Sequence, residues 1–501
     1  MGIEHPARPK ARAVAVLGCT SGAGKSWLTT ALCRWYARRG LDVRPFKAQN
    51  MSNHARVVAD LQGRPGEIGS AQWFQALAAG VRPEPRMNPV LLKPEADTRS
   101  QVVLMGQVRP ELTTMAWRER SALLWPAARE ALDSLQAEAE LLVIEGAGSP
   151  AEINLAAHDY VNTLTTVQAD AAALLVADID RGGAFAHLLG TTELMDGRVR
   201  QRLRGYLLNK FRGDATLLAP APELLRQRTG LPVLGVLPMR RDHGLPEEDA
   251  VPLGSSAATG PRVVLLATPH ASNLDEFEPV VRAGLPLVVV RDAPSLRAAL
   301  AAPGAVLVLP GSKHTRADLA WLRDQGLAAP IADQVAAGRP VLAICGALQW
   351  LGRLIDDAQG LEGGTPGQDA GLGLLPLATR FAAHKTLRHG RHRLGPLQGC
   401  WAPLSGLEVE GYEIHLGHSH WQDDAEALPA VPAQPGLGWQ QGPVLALYLH
   451  GLLENPAVLQ ALFGRAPEPL STVFDRLADV LDEAVGAATL MSLLQAKPHD
   501  A

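Results

Sequence analysis

Short apolar runs alternate with amphipathic stretches along most of the chain, the pattern of strands feeding crossover helices. The first run, Val14-Ala-Val-Leu17, passes through Gly18-Cys-Thr-Ser-Gly-Ala-Gly24 into Lys25-Ser26. Leu28, Leu32, Trp35 and Tyr36 then repeat at helical spacing, and Gly40 can end the helix. Further apolar runs fall at 41–46, 141–144, 171–177, 205–208 and 233–237, with a helical run at 121–140. This alternation predicts a mostly parallel, doubly wound α/β sheet. Around 251–261 the pattern lapses into small residues, glycine and proline, which reads as a linker. A second α/β series follows at 263–267, 285–290, 305–309 and 341–344, and past Gly360 the chain turns glycine-rich and more β-like. From Ser471 a terminal helix with a loose tail is expected. The predicted organisation is one unit over 1–250, a linker at 251–261 and a second unit over 262–501.

At 501 residues the chain is too long for one core, which agrees with that division. A net charge of −4 with no basic stripe gives no footprint for nucleic acid. Cys19, Cys33, Cys345 and Cys400 are too scattered for a disulfide framework or a zinc site, so a reducing cytoplasm is expected. Residues 1–12 lack the apolar core of a signal peptide, and no uninterrupted apolar run is long enough to span a bilayer.

The strand, glycine turn and helix around Gly22, Gly24, Lys25 and Ser26 have the layout of a P-loop. Backbone N–H groups wrap phosphates, the lysine reaches the terminal ones, and the serine hydroxyl can ligate Mg²⁺. Five residues separate Gly18 from Gly24, one more than the strict spacing, so Cys19 stands where a glycine is usual. Nucleoside triphosphate binding is expected. Glu145 follows a fully apolar strand, as a carboxylate that holds or orients Mg²⁺ beside a P-loop should. Polar residues 47–53 end the 41–46 strand, where open α/β sheets place their ligands.

In the second half, Cys345 lies between the apolar run 341–344 and Gly346, at a strand-to-helix turn that favours a thiolate; a buried structural cysteine fits as well. His450, in Tyr448-Leu-His-Gly-Leu452, is the sort of base such a thiol needs, although it is one of 15 histidines. Leu309-Pro-Gly-Ser-Lys313 ends another strand and reads either as an ordinary turn or as backbone donors beside an oxyanion.

Several longer strings then converge: Phe46-Lys-Ala-Gln-Asn-Met-Ser52, Glu67-Ile-Gly69, Met87-Asn-Pro-Val-Leu-Leu-Lys-Pro94, Val143-Ile-Glu-Gly-Ala-Gly-Ser-Pro-Ala-Glu-Ile-Asn-Leu155, Asp178-Ile-Asp-Arg-Gly-Gly-Ala-Phe185, Asn209-Lys-Phe-Arg-Gly-Asp214, Leu309-Pro-Gly-Ser-Lys313 and Gly411-Tyr-Glu-Ile-His415. With them the chain resembles the cobyric acid synthases, the glutamine-hydrolysing amidases of the cobalamin pathway, over about residues 12–455. The resemblance implies a synthetase unit similar to dethiobiotin synthetase, followed by a class I glutamine amidotransferase unit. It also implies ATP-dependent amidation of the b, d, e and g carboxylates of adenosylcobyrinic acid a,c-diamide, with nitrogen from glutamine. On that basis Gly24, Lys25 and Ser26 hold the phosphates of ATP, and Ser26 and Glu145 hold Mg²⁺. Lys47 neutralises charge at the reacting carboxylate, Asn209 reads the adenine, and Gln49, Asn50 and Ser52 contact the corrinoid. Cys345 is the nucleophile, His450 its base, and the N–H groups of Gly311 and Gly346 serve the oxyanion.

The chain departs from the family where Ala343 and Ala347 replace glycines flanking the nucleophile, and Leu348 and Trp350 an aromatic and a methionine. His384 stands where glutamate is expected before Lys385-Thr386, which leaves that contact unassigned. Leu452 occupies the place of the usual triad acid, with Glu454 beyond it, so no third catalytic member is assigned. Two other readings are weighed. A cobyrinic acid a,c-diamide synthase should carry Gly-Pro-Asp-Tyr-like residues where this chain has Ala48-Gln-Asn-Met51, and a non-enzymatic P-loop switch should show a second lysine where Cys19-Thr-Ser21 has none. Self-association is left open.

Overall fold

The computed structural model describes residues 11–96, 99–240, 243–246, 261–362, 364–422 and 428–495. All of the expected linker except Pro261, and the tail beyond 495, lie outside the described residues.

The first unit is built on β1 (Arg12–Gly18), α1 (Lys25–Ala37), β2 (Val43–Phe46), α2 (Ser70–Ala78), β3 (Leu141–Glu145), β4 (Ala172–Asp178), β5 (Leu203–Phe211) and β6 (Val233–Pro238). Its six strands lie in the order β6-β5-β4-β1-β3-β2. All neighbours are parallel. Residues of β1 alternate between two cores: Val14 and Val16 pack with Leu28, Leu32 and Trp35, whereas Ala13, Ala15 and Leu17 pack with Leu124, Leu132 and Leu135 of the helix Trp117–Glu138. A strand covered on both faces reads as one continuous apolar run, which is why these strands were legible. The segment between β2 and β3 was not. It holds a hairpin, Ala55–Ala59 with Pro65–Gly69, and a small sheet whose strands include Val90–Ala96 and Arg99–Leu104.

The second unit contains β7 (Val263–Leu266), β8 (Leu287–Val290), β9 (Val306–Leu309), β10 (Val341–Ile344), α3 (Gly346–Leu351), β11 (Leu377–Arg393), β12 (Glu408–Trp421), β13 (Gly438–Gln441) and β14 (Val444–Leu447). Its main sheet runs β8-β7-β9-β10-β14-β13 and ends on Leu428–Pro429. The strands are parallel as far as β14 and antiparallel after it. The β-like stretch past Gly360 becomes a long antiparallel ribbon of β11 and β12, with a break in register between Phe381 and Thr386.

The C-terminal helices depart from the expected boundary. Helix α4 (Leu470–Val485) and helix α5 (Ala487–Ser492) follow the second unit in sequence but complete the core of the first. Val473, Phe474, Leu477 and Leu481 pack into the same cluster as Leu28, Leu32 and Trp35. Arg34 pairs with Asp475 at 2.8 Å, Arg38 with Asp479 at 2.6 Å, and the Tyr36 hydroxyl donates to Leu490 O at 2.7 Å. The apolar face of α1 is wider than its own sheet covers, and α4 supplies the missing layer.

Between the units, Ala55, Val57, Leu91 and Val103 of the first pack against Tyr412 and Ile414 of β12. Beside this apolar patch the buried Glu67 accepts from Lys93 at 3.0 Å and from Lys385 of β11 at 2.7 Å. His384 itself is exposed.

Candidate functional site

Two sites emerge, each at the carboxyl ends of a parallel sheet, where open α/β folds gather ligands. In the first, β1 delivers the chain into the glycine turn at the start of α1. Gly22 and Gly24 take φ of 70° and 94°, a left-handed backbone that bulkier residues resist. At Gly24 a Cβ would lie 2.0 Å from Asn209 Nδ2, so the missing side chain lets the end of β5 close on the loop. Lys25 is buried and its Nζ donates to Thr20 O at 3.1 Å and Gly148 O at 3.2 Å.

Glu145 is the hub. Its Oε1 accepts from Ser26 Oγ at 2.9 Å and from Lys47 Nζ at 2.8 Å, and its Oε2 from Gln75 Nε2 at 2.5 Å. Burial alone would raise this carboxyl, but Lys47, by charge and hydrogen bond, together with Gln75 and Lys25, holds it below the usual carboxylate range. Ser26, Lys47 and Glu145, singled out from three separate stretches of sequence, therefore meet in one cluster. Gln72 and Gln75 of α2 were not foreseen, because polar residues on a helix otherwise rich in apolar ones carry no marked signal. Ser26 and Glu145 offer hard oxygen donors that fit Mg²⁺, which takes few protein ligands and completes its shell with water and phosphate. Among the described residues no three His, Cys, Asp or Glu side chains cluster for a metal, so any such ion relies on that shared shell.

Asn209 Nδ2 donates to Ala23 O at 2.8 Å, while its Oδ1 is buried with no hydrogen-bond partner among the described residues. An orphaned acceptor beside a P-loop fits the amine of a nucleotide base. Of the residues expected at the corrinoid, Gln49 stays half-buried and accepts from the Tyr160 hydroxyl at 2.6 Å. Asn50 and Ser52 are both buried. Asn50 Nδ2 donates to Gln72 Oε1 at 3.2 Å, bracing α2, and Ser52 Oγ accepts from His54 N at 3.0 Å.

In the second unit Cys345 sits between β10 and α3 with φ 53° and ψ −108°, a strained conformation for a residue with a Cβ. The turn aims the side chain off the sheet end, and Sγ approaches Ile414 O at 3.8 Å. His450, two residues past Tyr448 on the strand-end of β14, is buried, and the Cys345 thiol is near enough to act on its imidazole. Its Nδ1 faces Glu276 Oε1 at 2.8 Å, and Glu276 Oε2 accepts from Gly451 N at 2.7 Å. Burial would favour the neutral ring, but the charge of Glu276 and then the contact with Cys345 raise the imidazole to about 10. Tyr412 stacks on the ring, with centroids 5.2 Å apart at 14°.

Glu276, which holds the His450 ring, was given no role in the sequence reading. It belongs to a short 3₁₀ turn, Leu274–Phe277, far upstream of the histidine. Its one signal is an acidic pair, Asp275-Glu276, framed by Leu274 and Phe277, apolar positions that imply burial. Glu454, noted beyond Leu452, accepts from Arg56. Gly311 and Gly346 border the same spot: a Cβ at Gly311 would lie 2.8 Å from His450 Cε1, and one at Gly346 would lie 3.0 Å from Ser312 N. Ala343 and Ala347 are fully buried, so both methyl groups are accommodated at the elbow.

The comparisons agree with this two-site layout. The CobQ/CobB/MinD/ParA nucleotide binding domain family matches residues 14–252, and the CobB/CobQ-like glutamine amidotransferase domain family matches residues 262–458. The cobyric acid synthase of Leptothrix cholodnii is 55% identical, with 98% of this chain and 98% of that protein covered. That of Paracidovorax citrulli is 56% identical over 94% of this chain and 97% of its own. That of Variovorax paradoxus is 55% identical over 96% and 99%. Identity above half, sustained across both sites and nearly the full length of each relative, places this chain in the cobyric acid synthase family.

Proposed function

We propose that the chain converts the b, d, e and g carboxylates of adenosylcobyrinic acid a,c-diamide into carboxamides, using ATP and glutamine. The family makes it a glutamine-dependent amide-forming ligase of cobalamin biosynthesis, and neither the a,c-diamide synthase nor the nucleotide-switch reading is favoured. The observation that carries the proposal is that one chain holds both a Ser26–Lys47–Glu145 cluster at a P-loop and a Cys345–His450–Glu276 constellation.

A carboxylate resists amines because it is anionic and has a poor leaving group. In the first unit the P-loop N–H groups and Lys25 hold the triphosphate, and Asn209 Oδ1 accepts from the adenine amine. Ser26 and Glu145 hold Mg²⁺, which supplies charge neutralisation on the phosphates. Lys47 steadies the substrate carboxylate as its oxygen attacks the terminal phosphorus and ADP leaves. Gln49 contacts the corrinoid. In the second unit Cys345 Sγ attacks the glutamine amide carbon, and its proton passes to His450 and then to the departing ammonia. The N–H groups of Gly311 and Gly346 bind the oxyanion, and water releases glutamate. Ammonia, kept unprotonated inside the protein, attacks the acyl phosphate and phosphate leaves. The division of labour follows the two units, the first with α4 and α5 added.

Among the described residues no helix is long and apolar enough to cross a membrane, and a cytoplasmic setting fits the reduced thiol that this chemistry requires. Mass spectrometry of the corrinoid after incubation with ATP, Mg²⁺ and glutamine tests the proposal, with four equal mass steps expected. Cys345→Ala should stop conversion with glutamine but not with high ammonium. An unchanged corrinoid under both nitrogen sources would sink it.

A further inference from the structure

Arg56 lies on the first unit's hairpin, yet its charged partners belong to the second unit. The side chain is only 2% exposed. Its Nη2 donates to Asp275 Oδ2 and lies 2.6 Å from Glu454 Oε1, and its Nη1 donates to Glu454 Oε2 at 2.8 Å. The guanidinium is held between rings, with Trp73 at 4.8 Å and Phe74 at 5.7 Å from α2, and Tyr412 at 5.3 Å from β12.

The two carboxylates and Tyr412 adjoin the Glu276–His450 pair. Asp275 directly precedes Glu276. Glu454 closes the turn that begins at Gly451, whose N–H donates to Glu276. Tyr412 stacks on the His450 ring and exchanges backbone hydrogen bonds with it, at 3.2 and 2.8 Å. Next to Arg56, Ala55 N donates at 3.0 Å to Asn273 Oδ1, and Asn273 opens the Glu276 turn with φ 55°. A buried ion pair adds little net stability, because desolvation cancels most of the attraction; what it does well is fix one geometry.

We infer that Arg56 is a positioning residue for the Glu276–His450 pair, so that glutamine hydrolysis in the second unit depends on a side chain of the first. The inference rests on the reading of Cys345 and His450 as a glutaminase. Arg56 grips the turns before and after the pair and backs the ring that stacks on the imidazole. Without it both turns loosen, and the imidazole loses its fixed approach to Cys345. Arg56 touches neither the thiol nor the imidazole, so the loss falls on turnover and not on glutamine affinity.

The test is steady-state glutamine hydrolysis by the full chain, with ammonium-driven amidation as the folding control. In Arg56→Met, kcat for glutamine is expected to fall about 10-fold or more with KM within about twofold, the size of effect that a small misplacement produces. Ammonium-driven amidation should persist, and Arg56→Lys, able to hold one carboxylate, should recover part of kcat. Should Arg56→Met fail to fold, Glu454→Gln loosens one grip while Asp275 still neutralises the cation, and a lower kcat is again expected. Parental kcat in the folded variant overturns the inference, even if ammonia then escapes before amidation, because Arg56 would only join the units. A raised KM with kcat retained overturns it too. A parent protein lacking any hydrolysis that Cys345→Ala abolishes would instead refute the glutaminase reading, and this inference with it.

Discussion

Glu276 and His450 are 174 residues apart in the chain, yet Glu276 Oε1 lies 2.8 Å from His450 Nδ1. The carboxylate holds Nδ1 and so fixes the ring, the same logic by which an acid orients the histidine of a hydrolytic triad. Glu276→Gln keeps the shape and removes the charge. Glutamine hydrolysis should fall by about 10²- to 10⁴-fold, while ammonium-driven amidation persists. The same variant should move the pH profile. Burial disfavours the imidazolium, and the Glu276 charge outweighs it to give a value near 10, so the proton for departing ammonia is lost only as pH rises through about 10. With the charge gone the alkaline limb shifts to lower pH. Stopped assays across the alkaline range decide, and an unmoved limb would remove Glu276 from the mechanism.

Glu145→Gln separates the two activities in the opposite sense. With its charge gone, Lys47 and Ser26 lose their common partner and the phosphates lose a hard ligand for Mg²⁺. Ammonium-driven amidation should fall by about 10²-fold or more and demand more Mg²⁺, whereas glutamine hydrolysis should remain measurable. Titrating Mg²⁺ against amidation rate checks this. Parental Mg²⁺ dependence would contradict the assigned role.

Glu67 predicts an acid-sensitive contact between the units. Burial would raise its carboxyl, but Lys385 and then Lys93 bring it down to about 2. A carboxyl depressed on folding contributes stability that is fully present above its unfolded value and lost as pH falls through the folded one. That contribution should therefore fade from the ordinary 4.5 down to about 2. Glu67→Gln leaves the buried Lys93 and the half-buried Lys385 without their counter-charge and should cost about 3 kcal/mol at neutral pH, with a flatter response to acid. Urea unfolding at neutral and acid pH measures both.

Phe474→Ala tests the ownership of α4. Phe474 is 2% exposed in the core that also holds Trp35 and Leu32. The cavity should cost about 3–5 kcal/mol and lower the melting of the nucleotide-binding unit. A loss confined to glutamine hydrolysis would assign the helix elsewhere.

How much of this was legible depended on what kind of order each residue uses. β1, β3, β4 and β10 are buried on both faces, so their apolar runs marked them, and Lys25, Ser26, Glu145 and Cys345 could be placed at their ends. Lys47 was found in the same way, at the end of β2. Glu276 and Arg56 obey no such rule. Each is defined by a partner 174 or more positions away, and a buried charge looks like a surface charge until its counter-ion is known. Asn50 shows a related ambiguity, since a polar residue at a strand end can face a ligand or brace a neighbouring helix, and the string of letters is the same. The boundary at the C-terminus was missed because an amphipathic helix announces a face to be covered but not the sheet or helix that covers it.

The return of α4 and α5 to α1 bears on how the polypeptide is made. Synthesis delivers residues 12–246 first, yet the part of α1's hydrophobic side that its own sheet leaves open stays uncovered until residues 470–494 have left the ribosome. The amidotransferase portion is thus finished before the portion translated ahead of it, and a nascent chain carries an open, sticky helix for half its synthesis. Chaperone demand should accordingly peak late in translation, and shortening the chain by a few dozen residues at its far end should harm the half that was made first.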